Sequence, residues 1–146
     1  ASITMEDSEI DAETTYTFNL RVFNPLPLGS IIKVTFPAEI TPNSNTVTAI
    51  GTGKLNTLIV TDYDDSTKTL TMTEVIISQN SYVSSGEYIE FTLSTITNPS
   101  STATSSSFTI ETFEGIDYAI EAASTGLTVT ADPGDILTFT VSPENK

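Results

Sequence analysis

With 146 residues the chain fits one domain, long enough to bury about two-thirds of its unfolded surface without staples. It contains neither cysteine nor histidine, which excludes disulfides and thiolate metal sites and removes the commonest general base. Nineteen acidic residues against five basic ones give a net charge of −14; such a surface repels phosphate backbones and anionic lipid, so neither nucleic acid nor a membrane surface is an expected partner.

Threonine alternates with large apolar residues along most of the chain, and period two is the pattern of a strand with one buried and one solvated face. The first predicted strand is Thr14 to Phe23, with Tyr16, Phe18, Leu20 and Val22 inward. Asn24-Pro25-Leu26-Pro27-Leu28-Gly29 ends it, because neither proline donates to a ladder. Ile31 to Phe36 follows, with Ile32, Val34 and Phe36 inward and Lys33 outward. Thr46 to Ile50 comes next, then Leu58 to Thr61 and Thr69 to Ile77, joined by the polar connection Asp62 to Lys68. Leu70 and Met72 share a parity that Val75 and Ile77 do not, which predicts a bulge near Thr73-Glu74.

Glu87 to Ile96 carries Ile89, Phe91 and Leu93 inward. Beyond Asn98-Pro99 and a serine-rich loop come Phe108 to Phe113, Tyr118 to Ala122 and Leu127 to Val129. Asp132-Pro133-Gly134-Asp135 is a turn signal, and Ile136 to Val141 is the last predicted strand, with Leu137, Phe139 and Val141 on one side. Nowhere do apolar residues hold a helical period over three turns, and no apolar run approaches the roughly 20 residues that cross a bilayer. Short strands separated by turn signals predict an all-β, Ig-like antiparallel β-sandwich with Greek-key links.

Serine and threonine make up about 30% of the chain. Threonine suits a solvated strand face, and exposed hydroxyls also accept O-linked sugars. The candidate acceptors are Ser100, Ser101, Thr102, Thr104, Ser105, Ser106 and Ser107. N-glycosylation has no acceptor: Asn24 and Asn98 precede proline, and no other asparagine has serine or threonine two places on.

Three segments carry a resemblance: Thr14-Thr15-Tyr16-Thr17-Phe18, then Asn24-Pro25-Leu26-Pro27 through Val34-Thr35-Phe36-Pro37, then Ile96-Thr97-Asn98-Pro99-Ser100-Ser101. In this order they resemble a repeated β-sandwich module of very large surface and secreted proteins of ciliates and other protists. The resemblance spans about residues 12 to 130. It implies an Ig-like module in an extracellular scaffold without enzymatic activity. This chain lacks the cysteine pairs such modules often carry. It also implies that a strand of the form apolar-Thr-Val-Ser-Pro leads into the Tyr-Thr-Phe strand. Phe139-Thr140-Val141-Ser142-Pro143 has that form but stands near the C-terminus, while Ile3-Thr4-Met5-Glu6-Asp7-Ser8 holds the lead-in place. The organisation expected is therefore a sandwich over 1–134 and a strand or tail over 135–146 that a neighbouring subunit receives.

On that reading Leu137, Phe139 and Val141 are the strand-exchange residues: they enter a neighbour's sheet, main-chain bonds giving affinity and alternate pockets giving register. Repeated head to tail, such a contact does not close and makes a filament. Completion of the chain's own sandwich by the same strand is the plainer reading. Asp62, Asp64 and Asp65, and the run Glu6, Asp7, Glu9, Asp11 and Glu13, have the oxygen chemistry of calcium ligands, but without the glycine and distal glutamate of an EF-hand loop they read as a solvated hairpin tip and a charged edge. No Asp-Thr-Gly or Asp-Ser-Gly occurs, and without histidine a serine lacks its usual base, so no enzyme activity and no cofactor is expected. Lys33, mid-strand, has the place of an isopeptide-forming lysine. Tyr63, Tyr82 and Tyr88 are the residues a sugar-binding face would use. The expected function is a structural subunit of an extracellular or cell-surface filament or coat, self-associating and carrying glycans, with an adhesion or carbohydrate-binding module of a larger protein as the alternative.

Overall fold

The computed structural model describes residues 1–43, 46–123 and 126–134. Among the described residues ten strands form two antiparallel sheets packed face to face. In the first, β1 (Ser2–Met5) pairs with β2 (Glu13–Arg21), and β2 with β8 (Tyr88–Thr97). The far edge of β8 is shared by the short strands β4 (Thr41–Pro42) and β5 (Ala49–Gly51). The second sheet runs β10 (Tyr118–Ala123), β9 (Thr109–Glu114), β3 (Ser30–Thr35), β7 (Thr69–Thr73), β6 (Val60–Asp64). The chain changes sheet between β2 and β3, β3 and β4, β5 and β6, β7 and β8, and β8 and β9. Neighbours in space are thus often distant in sequence, as in Ig-like sandwiches. The expected all-β fold is the observed one.

Alternation builds the core. On β2, Tyr16, Phe18 and Leu20 are buried while Thr15, Thr17 and Asn19 stay partly exposed. β8 answers with Ile89, Phe91 and Leu93, and Phe18 stands opposite Phe91, their rings stacked at 5.0 Å. Such a cross-strand aromatic pair contributes about 0.5–1.5 kcal/mol beyond the area it buries. Phe108 sits between the sheets with its ring 5.6 Å from Phe18 and 5.5 Å from Phe36. Ile32 and Val34 of β3, and Leu70 and Met72 of β7, close the core from the second sheet.

Two irregularities set the registers. In β8 the pairing with β2 shifts between Thr14 and Tyr16, and Thr95 takes a left-handed φ of 57°. That bulge lets both Leu93 and Ile96 point inward despite opposite parity. The predicted bulge near Thr73-Glu74 corresponds to a break: β7 ends at Thr73, Glu74 has φ 55°, and the chain leaves the sheet. Val75 and Ile76 are then both buried and Ile77 is exposed, which corrects the expected inward pair Val75 and Ile77. Strand bounds also move: Phe23 lies beyond β2 and is exposed, and the segment expected over Leu58–Thr61 forms its strand over Val60–Asp64.

Past β10 the chain stays beside the lead-in to β9. Phe108 N–H donates to the Leu127 carbonyl and Ser105 N–H to that of Val129, with Leu127, Val129 and Ala131 buried. Asp132 then crosses to the β1–β2 loop. Its N–H donates to Ser8 O at 2.6 Å, and its carbonyl accepts from Ile10 N–H at 3.0 Å. The predicted strand Ile136 to Val141 lies outside the described residues.

Candidate functional site

The β1–β2 loop is fixed from beneath by a buried amide. Asn98, fully covered, accepts the Tyr16 hydroxyl at 2.7 Å on Oδ1 and donates from Nδ2 to the carbonyls of Asp7 (2.9 Å) and Glu9 (2.8 Å). Proline after Asn98 keeps that residue extended at the end of β8. Burial raises the Tyr16 phenol well above its ordinary pKa. The Tyr-Thr-Phe and Asn-Pro segments of the sequence thus meet in space, where they hold the end of β1 to the sandwich.

β1 itself is the least buried strand of its sheet. It pairs with β2 from Ser2 opposite Asn19 to Met5 opposite Tyr16, and only Ile3 and Met5 are partly buried against the core. Beyond the Ser2 end the two sheets part. A groove of about 450 Å³ opens there, floored by Leu20, Val22, Ile89, Ile110 and Ile120, with Ala1 on its lip. Arg21 and Glu121 stand at its rim. Inside, the Thr112 hydroxyl is buried without a hydrogen-bond partner. The groove therefore combines an apolar floor, a buried hydroxyl without a partner and the end of β2.

The remaining candidates separate into local structural roles. Ser100, Ser101, Thr102, Thr104 and Ser106 are exposed, and Ser107 is half-buried. Ser105 is not a surface hydroxyl: it is 5% exposed, accepts from Val129 N–H at 3.1 Å and donates to Ser106 O at 2.8 Å. Ser106 donates from N–H and hydroxyl to Glu39, a carboxyl held below its usual range by its own backbone N–H first and by these Ser106 bonds second. Thr104 and Thr130 share a hydroxyl bond of 2.9 Å.

At the β6–β7 turn, Asp64 accepts from the Ser66 N–H and from the hydroxyls of Ser66 and Thr67, which lowers its pKa and occupies its oxygens. Among the described residues no three acidic side chains converge as a metal site would require, the run Glu6 to Glu13 included. Lys33 lies over the ring of Phe113 at 4.5 Å. The three tyrosines do not share a face. Tyr63 packs inward edge-on to Phe36, Tyr82 is exposed in a loop under Lys54, and Tyr88 opens β8 in the other sheet. Leu137, Phe139 and Val141 lie outside the described residues. The groove at Ala1 had no sequence signal of its own, since it depends on where β1 stops covering β2.

Among the described residues no helix is long and apolar enough to cross a membrane. No protein-family model matches the chain, and no curated protein matches it in sequence. Solved structures resemble it in fold. BslA, a bacterial hydrophobin, aligns with a TM-score of 0.50 at 16% identity, covering 91% of this chain and 98% of that one. The collagen-binding domain of a Staphylococcus aureus adhesin gives 0.45 at 13% identity, covering 88% and 94%. The group B streptococcus pilus 2b backbone protein gives 0.45 at 14%, covering 88% of this chain and 56% of its own length. At these identities what is shared with BslA is a sandwich architecture.

Proposed function

We propose that this chain is a structural subunit of an extracellular or cell-surface filament or coat, assembled head to tail by β-strand addition and without enzymatic activity. One observation carries the reading. Among the described residues ten strands pair within residues 2–123 and the chain is tied back to the β1–β2 loop at Asp132, and the sequence carries a further alternating segment beyond it, Ile136 to Val141. A sandwich followed by a further strand-like segment has the parts list of a polymerising subunit. Supporting it, the excess of acid keeps a secreted surface protein soluble. The exposed hydroxyls of Ser100, Ser101, Thr102, Thr104 and Ser106 are open to O-linked sugar. The alternative, a carbohydrate-binding module, draws no support from Tyr63, Tyr82 and Tyr88, which face different ways.

The test is a stop after Gly134. Light scattering and negative-stain microscopy of the full chain should show polymers that the shortened chain, with an unchanged circular dichroism spectrum, no longer forms. Polymers of equal length from both would remove strand addition.

A further inference from the structure

Resting on that reading, we infer that the acceptor is the β1 position itself: residues Leu137 to Val141 of a second copy pair with β2 in β1's register and seat Leu137 in the groove at Ala1. The two segments carry the same pattern, Ala1-Ser2-Ile3-Thr4-Met5 and Leu137-Thr138-Phe139-Thr140-Val141, an apolar residue at each odd place and a hydroxyl at each even one. Aligned so, Phe139 takes the place of Ile3 opposite Phe18, and Val141 that of Met5 opposite Tyr16. Leu137 then falls where Ala1 stands. There the resident methyl leaves about 450 Å³ open above Leu20, Val22, Ile110 and Ile120. Each odd position of the incoming strand except the Met5 site offers a larger apolar side chain than the resident. β1 holds its place with no fully buried side chain, so its displacement exposes little.

Chain geometry selects a second copy over the molecule's own tail. Gly134 lies beside Ile10, where a Cβ built on it would be 3.9 Å from Ile10 Cγ1, and Asp132 is bonded to Ser8 and Ile10. That is the Met5 end of β1. The groove is at the Ala1 end, four residues further along β2 than Tyr16, or about 13 Å. Three residues from Gly134 to Leu137 reach at most about 11 Å, and they would enter from the wrong end for β1's direction. A strand leaving another molecule has neither restriction.

The absence of cysteine makes the register directly readable. Thr138 takes the place of Ser2, opposite Asn19, on the outer face. In the full chain, Asn19→Cys with Thr138→Cys should oxidise to a ladder of covalent multimers, at a yield at least about tenfold above the off-register pair Thr17→Cys with Thr138→Cys. Leu137→Asp should leave the circular dichroism spectrum unchanged and raise the concentration needed for assembly by about tenfold or more. A disulfide within one molecule, equal yields from the two pairs, or no cross-link overturns the assignment. Polymers that form without the in-register cross-link remove this acceptor and leave self-assembly standing. A chain that stays monomeric under every condition removes both.

Discussion

Tyr16 and Asn98 show how much one buried polar pair fixes. The phenol satisfies Asn98 Oδ1, and the amide nitrogen gathers the Asp7 and Glu9 carbonyls, so a single contact orders the loop that ends β1. Tyr16→Phe should cost about 1–3 kcal/mol, because a covered acceptor loses its donor, and urea titration measures it directly. The pair also sets an alkaline limit. Below about pH 10 the phenol keeps its proton in both the folded and unfolded chain. Above that, the unfolded chain releases it while burial holds it in the fold, so stability falls as pH rises, by up to about 1.4 kcal/mol per unit for this group. The Tyr16→Phe variant should lose that part of the slope; an identical slope in both proteins would place the alkaline sensitivity elsewhere. The pair was half legible. Tyr16 reads as an inward strand residue from period two, but nothing in the spelling Thr97-Asn98-Pro99 says that the asparagine is buried under Asp7. The same limit applies to Ser105, one hydroxyl among eight serine, threonine and alanine residues, told apart from its neighbours only by the bond from Val129.

At the scale of the strand, the alternation of apolar and hydroxyl residues placed β2, β3 and the inward residues of β8 because burial on one face leaves period two little freedom. It failed where the backbone breaks the period. Thr95 and Glu74 both adopt left-handed φ without being glycine, so the β8 bulge and the end of β7 carry no turn residue to announce them. β5 shows a different constraint. Gly51 N–H donates to Asn56 O, and a Cβ on Gly51 would lie 2.4 Å from that oxygen and 2.5 Å from Leu55 Cβ. The loop from β5 thus folds onto a backbone that only glycine leaves bare. Gly51→Ala should push Leu55 and Asn56 off β5 and cost about 1–3 kcal/mol in chemical denaturation. The contrasting change Gly53→Ala meets no neighbouring atom and is strained by its φ of 62° alone. A smaller loss at Gly51 than at Gly53 would refute the steric account.

For the whole molecule, charge and assembly pull against each other. Nineteen acidic groups meet five basic ones, and the Lys54–Glu87 pair at 2.6 Å is exposed on both sides and contributes little. Two copies at a net charge of −14 repel at every approach, and the β1–β2 loop, which the far end of an incoming strand would reach, carries Glu6, Asp7, Glu9 and Asp11. The contact proposed to overcome this is apolar and main-chain, through Leu137, Phe139 and Val141, and neither component weakens when ions are added. Raising salt from about 0.01 M to 0.15 M shortens the screening length from about 30 Å to 8 Å, below the span of one subunit. Screening should therefore lower the concentration at which light scattering first reports polymer, several-fold over that range. An assembly stitched instead by lysines onto acidic patches would respond with the opposite sign, its threshold rising with salt. The direction of that one titration separates a strand seated in a groove from a contact between charged faces, and it does so without any substitution in the chain.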